Sequence, residues 1–309
     1  MKSKKYILNL IPLLLLVGCN SNQELKILCP TGAPSIAFYN YVDNANFETN
    51  STPTNIIASM NKNSEYDVVV IDTTSGVSAI NNGAPYLLAS TITFGNFYIA
   101  TTNKDSDGIM NENDNIILFG AANGVPSKLF HYLYGNDFDS QITYVKSVSD
   151  AAGCLKRGTD TNGKQVDYVF VAEPVLTNIL ATTPTVSIYK DIQEEYKAKS
   201  NNSLLMQASV FVKKSAKKNT IDKFLSSLEK DINDGINDPT IIKNRLESAT
   251  EDQTLIQNKY GVGTALIYKV MQTNKIGLGY LSSYSQKESI DKYLSLFNME
   301  ETNEEIYYK

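Results

Sequence analysis

Compact apolar runs alternate along this chain with segments whose apolar positions recur at helical spacing. The clearest run is Val68-Val69-Val70-Ile71 between Asp67 and Asp72, a β-branched stretch that predicts a strand buried on both faces. Similar runs predict strands at Leu25–Cys29, Asn115–Gly120, Ile142–Val145, Val166–Val171 and Leu205–Val212, with Tyr86–Thr102 as one long extended stretch. Between them, helices are expected at Ser35–Tyr41, Asn55–Asn61, Val77–Asn81, Pro126–Tyr134 and Ser149–Arg157. Another begins at Glu173-Pro174 and runs through Leu180, and Asp191–Asn202 reads as a charged helix or linker. From Asn219 onward, Ile221, Phe224, Leu225, Leu228, Ile232 and Ile236 mark one helical face, with Asn219 or Thr220 as the expected cap. Further helices fit Pro239–Ser248, Gly263–Gln272 and Gln286–Phe297, and the acidic end Met299–Lys309 is expected to fray.

Strands alternating with short helices predict an α/β fold with largely parallel sheets. Ligands bind such sheets outside the carboxyl ends of the strands. Four connections therefore carry the candidate site: Thr31, Gly32 and Ser35; Thr73, Thr74 and Ser75, expected as a loop of hydroxyls; Asn123, Gly124 and Ser127; and Glu173. A helix start with free N–H groups and nearby hydroxyls can hold an anion or a carbonyl, although every α/β protein needs such turns. Glu173 could accept hydrogen bonds from ligand amines or amides, or complement the dipole of the helix it precedes. Tyr39 and Phe94, with Phe38 and Tyr98, could supply stacking walls or simply fill the core.

The N-terminus follows another pattern. Lys2, Lys4 and Lys5 precede an apolar stretch from Ile7 to Val17, and Leu16-Val17-Gly18 leads into Cys19. The stretch is about half of the ~20 residues a spanning helix needs. It reads as a bacterial lipoprotein signal over residues 1–18, cleaved so that Cys19 carries the lipid and residues 19–24 form a tether. Acyl chains would hold the mature chain on the extracytoplasmic face of the cell membrane.

Cleavage removes three lysines and moves the formal charge from −5 to −8. That sign argues against nucleic acid or an anionic membrane surface as the main partner. Arg157 and Arg245 are the only arginines, so bidentate recognition of sulfonate or phosphate is scarcely available. Nineteen tyrosines and no tryptophan make tyrosine the main aromatic surface for a ligand. Cys29 and Cys154, the cysteines left after Cys19, are expected as free, buried thiols. No metal-ligand spacing is present, and the acidic stretch Asn103–Asn115 lacks the spacing and closing glutamate of a calcium loop. Any catalytic triad would have to use His131, the single histidine.

Thr-Gly-Ala-Pro-Ser at Thr31–Ser35, the helix ending at Arg157-Gly158, the strand Val166–Val171 and Ala172-Glu173-Pro174 together resemble the solute-binding proteins of ABC importers. The resemblance covers roughly Leu25 to Leu180. It points to the branch of the type II periplasmic-binding-protein fold that handles nitrate, sulfonates, taurine and thiamine-precursor pyrimidines. It implies two α/β lobes with a central cleft and two crossing strands. Lobe one would take 25–98 plus 209–309, and lobe two 99–208. Such a protein, expected as a monomer, would close on a small molecule and present the closed shape to a permease and ATPase, with no cofactor and no catalysis. A small organic nutrient, ring-containing as in a vitamin precursor, or a small anion would be the ligand. A ligand-sensing surface lipoprotein without transport, or an enzyme on the same fold, are the other readings.

Overall fold

The computed structural model describes residues 24–102 and 110–309. Cys19 and the signal stretch lie outside the described residues, as does part of Asn103–Asn115. Eleven strands form two sheets among the described residues. In chain order they are β1 (Ile27–Pro30), β2 (Phe47–Asn50), β3 (Val68–Asp72), β4 (Tyr86–Thr93), β5 (Phe97–Thr101), β6 (Ile116–Phe119), β7 (Ile142–Val145), β8 (Tyr168–Ala172), β9 (Ser187–Asp191), β10 (Ala208–Lys213) and β11 (Leu278–Ser282). The first sheet has the order β11-β4-β10-β3-β1-β2, and the second β7-β6-β8-β5-β9.

The pairing follows from where the chain changes sheets. β1, β2 and β3 are parallel, and so are β6, β7 and β8. β4 delivers the chain to the junction, so β5 must enter the second sheet from that side. It runs antiparallel to β8 and β9. The return is the mirror case: β10 enters the first sheet from the junction and runs antiparallel to β3 and β4. The carboxyl ends of β1, β3 and β4 and of β6, β8 and β9 thus lie on the junction side of their sheets.

The long extended stretch expected over Tyr86–Thr102 is broken. Phe94-Gly95-Asn96 separates β4 from β5, and Phe97 and Tyr98 pair with Ala172 and Val171 in the second sheet. Gly95 has φ +100° and Gly277 φ +61°. A Cβ on Gly277 would stand 2.0 Å from the Gly95 carbonyl oxygen, so both positions require glycine. Phe94 N–H donates to the Gly277 carbonyl at 2.8 Å and locks the two segments together.

Helices cover the sheets. The helix Lys218–Asn237 buries Ile221, Phe224, Leu225, Leu228 and Ile232. Ile236 is only partly buried, and neither Asn219 nor Thr220 caps this helix, which begins after Lys217 without a side-chain cap. One core lies against this helix and the outer face of the first sheet. A second joins both sheets through Leu205, Met206, Ile192, Tyr196 and Tyr293, and a third packs the helix Val148–Arg157 on the second sheet. Cys29 and Cys154 are free and buried in different sheets' cores, and burial pushes both thiols up in pKa.

The tail does not fray. Ile306 and Tyr307 are buried, and Tyr308 N–H donates to the Leu88 carbonyl at 2.9 Å. Two apolar residues in an acidic stretch are enough to dock it beside β4.

Candidate functional site

At the end of β3, Asp72 caps the helix Thr73–Asn81: its Oδ1 accepts from Ser75 N–H at 2.9 Å and from the Thr74 hydroxyl. The expected loop of hydroxyls is therefore the first turn of a helix, because Asp72 satisfies the free N–H of Ser75 and the Gln207 carbonyl that of Thr73. That carboxylate fills the place an anion would take. Thr73 is fully buried. Its hydroxyl lies 2.7 Å from that of Ser209, which lies 2.9 Å from that of Thr91. At the end of β1, Thr31 and Gly32 are half-buried, while Ser35 is buried and donates to the Gly32 carbonyl at 2.7 Å. β1 pairs with β3, so these two groups are neighbours.

In the second sheet, the helix Val125–Tyr134 follows β6, with Gly124 at its start and no side-chain cap. Asn123 is exposed and Ser127 is 1% exposed. Glu173 follows β8, the neighbour of β6. It is buried, and Thr177 occupies both its oxygens: Oε2 accepts from Thr177 N–H at 2.8 Å and Oε1 from the Thr177 hydroxyl at 2.7 Å. Burial raises its pKa, against the opposing effect of these bonds and of Lys275 and Lys269. Of the two roles expected for Glu173, helix-start carboxylate describes its contacts. Its side chain is not an open wall.

Tyr39 is also corrected. It is 1% exposed, packs in the core under the first sheet, and donates to the Asp231 carbonyl at 3.1 Å. Its hydroxyl reaches a helix backbone, which is why an aromatic near a candidate turn points away from it. Among the sequence-expected residues, Thr31, Gly32, Thr74, Ser75, Phe94, Asn123 and Gly124 retain exposed surface.

The two lobes meet through a chain of amides. Asn96, between β4 and β5, donates from Nδ2 to the Glu173 carbonyl at 3.0 Å, and Glu173 N–H donates back to the Asn96 carbonyl at 2.9 Å. Gln207, just before β10, donates from Nε2 to Asn96 Oδ1 at 3.0 Å. Thr73 N–H donates to the Gln207 carbonyl at 3.0 Å. Both crossings, the end of β3 and the end of β8 are thereby tied together at one place.

Solved structures share this fold. An ABC transporter protein from Parabacteroides distasonis matches with a TM-score of 0.68 at 19% identity, over 89% of this chain and 91% of that one. The ligand-binding component of an ABC-type import system from Staphylococcus aureus, with zinc bound, matches at 0.64 and 9% identity, over 92% and 96%. The periplasmic aliphatic sulphonate-binding protein of Escherichia coli matches at 0.59 and 11% identity, over 91% and 94%. This chain has the type II periplasmic-binding-protein fold. No family model and no curated protein sequence matches it.

In a periplasmic-binding-protein fold the junction between lobes is the place to look for a ligand, and two residues there escaped sequence reading: Asn96 and Gln207. Gly95 was the available signal, since a glycine inside a strand-like run marks a break. Phe119, half-buried at the end of β6, was also missed. Its ring packs against Phe97 and Phe170 with centroids 6.0 Å from each. A pocket of about 450 Å³ opens beside the first crossing, lined by Phe94, Tyr98, Asp191, Gln193 and Lys275 among others. A larger groove of about 670 Å³ runs along the helix Thr73–Asn81 within lobe one, past Thr74, Ser75 and Met60.

His131 lies within reach of both Ser127 and Asp139, but as a clasp. Its Nδ1 is 2.7 Å from the Ser127 carbonyl and 3.2 Å from its hydroxyl, and Nε2 is 2.7 Å from Asp139. The ring links the helix Val125–Tyr134 to the turn Asp139–Gln141. Among the described residues no cluster of His, Cys, Asp and Glu could hold a metal ion, and no helix is long and apolar enough to cross a membrane.

Proposed function

We propose that this protein is an extracytoplasmic solute-binding protein, held on the cell membrane through a lipidated Cys19, that delivers a small organic solute to an ABC importer. The observation that carries the reading is the convergence of both sheets' strand ends on the two crossings at Asn96 and Gln207. A ligand that touches both walls favours the closed arrangement by its differential contacts. In place of the expected 25–98 plus 209–309 and 99–208, the proposed lobes are 25–93 plus 208–309 and 97–191, since Phe97 and Tyr98 pair with β8 and Ala208 with Asp72. Half-buried Thr31, Gly32, Thr74, Phe119 and Gly124 form the walls, with Phe94 at the edge. The protein acts by binding, without catalysis, as a monomer that meets a permease and ATPase.

Thermal shift of the protein against a panel of amino acids, vitamins, pyrimidines and alkanesulfonates tests the solute reading. A ligand at 100 times its Kd adds about 2.7 kcal/mol of stability. No stabilisation by any compound would remove it. Cys19→Ser tests the anchor: fractionation should find the protein released from membranes or left unprocessed. An unchanged membrane-bound mature form would overturn the lipid reading.

A further inference from the structure

We propose that Oε1 of Gln207 is a solute contact that selects compounds presenting an N–H donor, whether amide, amine or ring N–H, over sulfonates and other anions. This deepens the solute-binding reading and rests on it.

The polarity of the amide chain is fixed from one end. A backbone carbonyl can only accept, so the Asn96 group facing the Glu173 carbonyl at 3.0 Å is the NH₂. Asn96 therefore turns its oxygen to Gln207, and the Gln207 group facing that oxygen at 3.0 Å is in turn its NH₂. Gln207 is left with Oε1 as its unused acceptor. Reversing either amide would set two NH₂ groups or two oxygens against each other. The hydroxyl chain Thr73–Ser209–Thr91 has no such direction, because each hydroxyl can give or take.

Gln207 cannot easily swing away. Its carbonyl accepts from Thr73 N–H at 3.0 Å and its N–H donates to the Thr93 carbonyl at 3.1 Å, which fixes it between the ends of β3 and β4. Its neighbours Met206 and Ala208 are buried. Oε1 itself is out of solvent and has no hydrogen-bond partner among the described residues. Buried polar atoms are nearly always paired, and those that are not call for an explanation. Here the acceptor belongs to a residue that ties both crossings to the ends of β3 and β8. The surroundings suit a donor rather than an anion. Asp72 caps the adjacent helix with its carboxylate, and the Glu173 carboxyl is buried close by.

The test is calorimetry on the full-length protein in detergent. The donor probes are cytosine, nicotinamide and asparagine, run beside their N-methylated counterparts, and the anion probes are methanesulfonate and nitrate. At least one donor probe should bind, lose affinity on N-methylation, and bind about tenfold or more weakly to Gln207→Met, which keeps the length of the side chain without the acceptor. Melting of unliganded Gln207→Met checks its fold. If that variant does not fold, Asn96→Asp takes its place and should weaken the same probe, because a carboxylate cannot donate to Glu173. Methanesulfonate or nitrate binding unchanged in the variant would overturn the inference and leave the solute-binding reading standing. A donor probe indifferent to both substitutions would do the same. Binding of no probe in either set would overturn the inference, and the thermal-shift panel then decides the broader reading.

Discussion

At the junction, the first sheet is held by hydroxyls and the second by rings. Thr73, Ser209 and Thr91, all fully buried, join their hydroxyls across β3, β10 and β4. Across β5, β6 and β8 the corresponding places hold Phe97, Phe119 and Phe170, with Phe97 and Phe170 centroids 5.4 Å apart. The two solutions differ in what they demand. Rings are stabilised by area and shape, and lose stability roughly with the volume removed. Buried hydroxyls contribute little net stability, but each is costly if left alone. The ring side is therefore strict in volume, while the hydroxyl side is strict in keeping every hydroxyl partnered, whichever way each bond runs.

Phe170→Ala should break the apolar side hardest. It should cost about 3–5 kcal/mol, read from the urea midpoint at unchanged slope. A loss under about 1 kcal/mol would mean that the ring trio is not what holds the second sheet's end.

Ser209→Ala should cost about 1–3 kcal/mol, because it strands the hydroxyls of both Thr73 and Thr91. The triple change that adds Thr73→Val and Thr91→Val should cost less than the three single changes summed, since no orphan remains. Simple additivity would refute the picture of one connected hydroxyl seam.

Glu173→Gln sharpens the comparison through pH. The folded pKa of Glu173 is raised, so its contribution to stability is fully present below the ordinary carboxylate value and declines as pH rises through the folded value. Relative to Glu173→Gln, the wild type should thus be most stable below the ordinary carboxylate value of about 4.3 and lose that advantage progressively as pH rises, as read from urea titrations at several pH values. A difference that grows with pH would reverse the sign and show that Thr177 and the lysines outweigh burial.

The smallest effect is chemical. Cys29 and Cys154 should resist a thiol reagent in the folded protein and both label once it is unfolded without reductant, with stability untouched. A mass two hydrogens light under non-reducing conditions would instead mark a disulfide.

The parts of this fold that could be read in sequence are the ones with concentrated apolar signal. The run from Asp67 to Asp72 yields β3, and the stripe from Ile221 to Ile232 yields the long helix. β2, β9 and β11 went unread: each is an edge strand, or packs at an edge, and carries polar residues such as Glu48 and Thr49 or Lys190. The helix Gln253–Tyr260, with only Ile256 and Tyr260 buried, also has too thin a stripe to stand out. The site was legible as strand ends and illegible as contacts. Which hydroxyl is buried, and that Glu173 turns to Thr177, depend on neighbours far away in sequence.

The strand order also dictates when each sheet can be finished. Every strand of the second sheet comes from one uninterrupted stretch, Phe97 to Asp191. In the first sheet β3 and β4 are not neighbours: β10, which starts at Ala208, lies between them, and β11 completes the edge still later. A chain emerging from its amino end can therefore assemble the inner lobe while the outer one still lacks its central strand. The edges of β3 and β4 that β10 will join must wait for more than a hundred further residues, and until then they stand open to pairing with another chain.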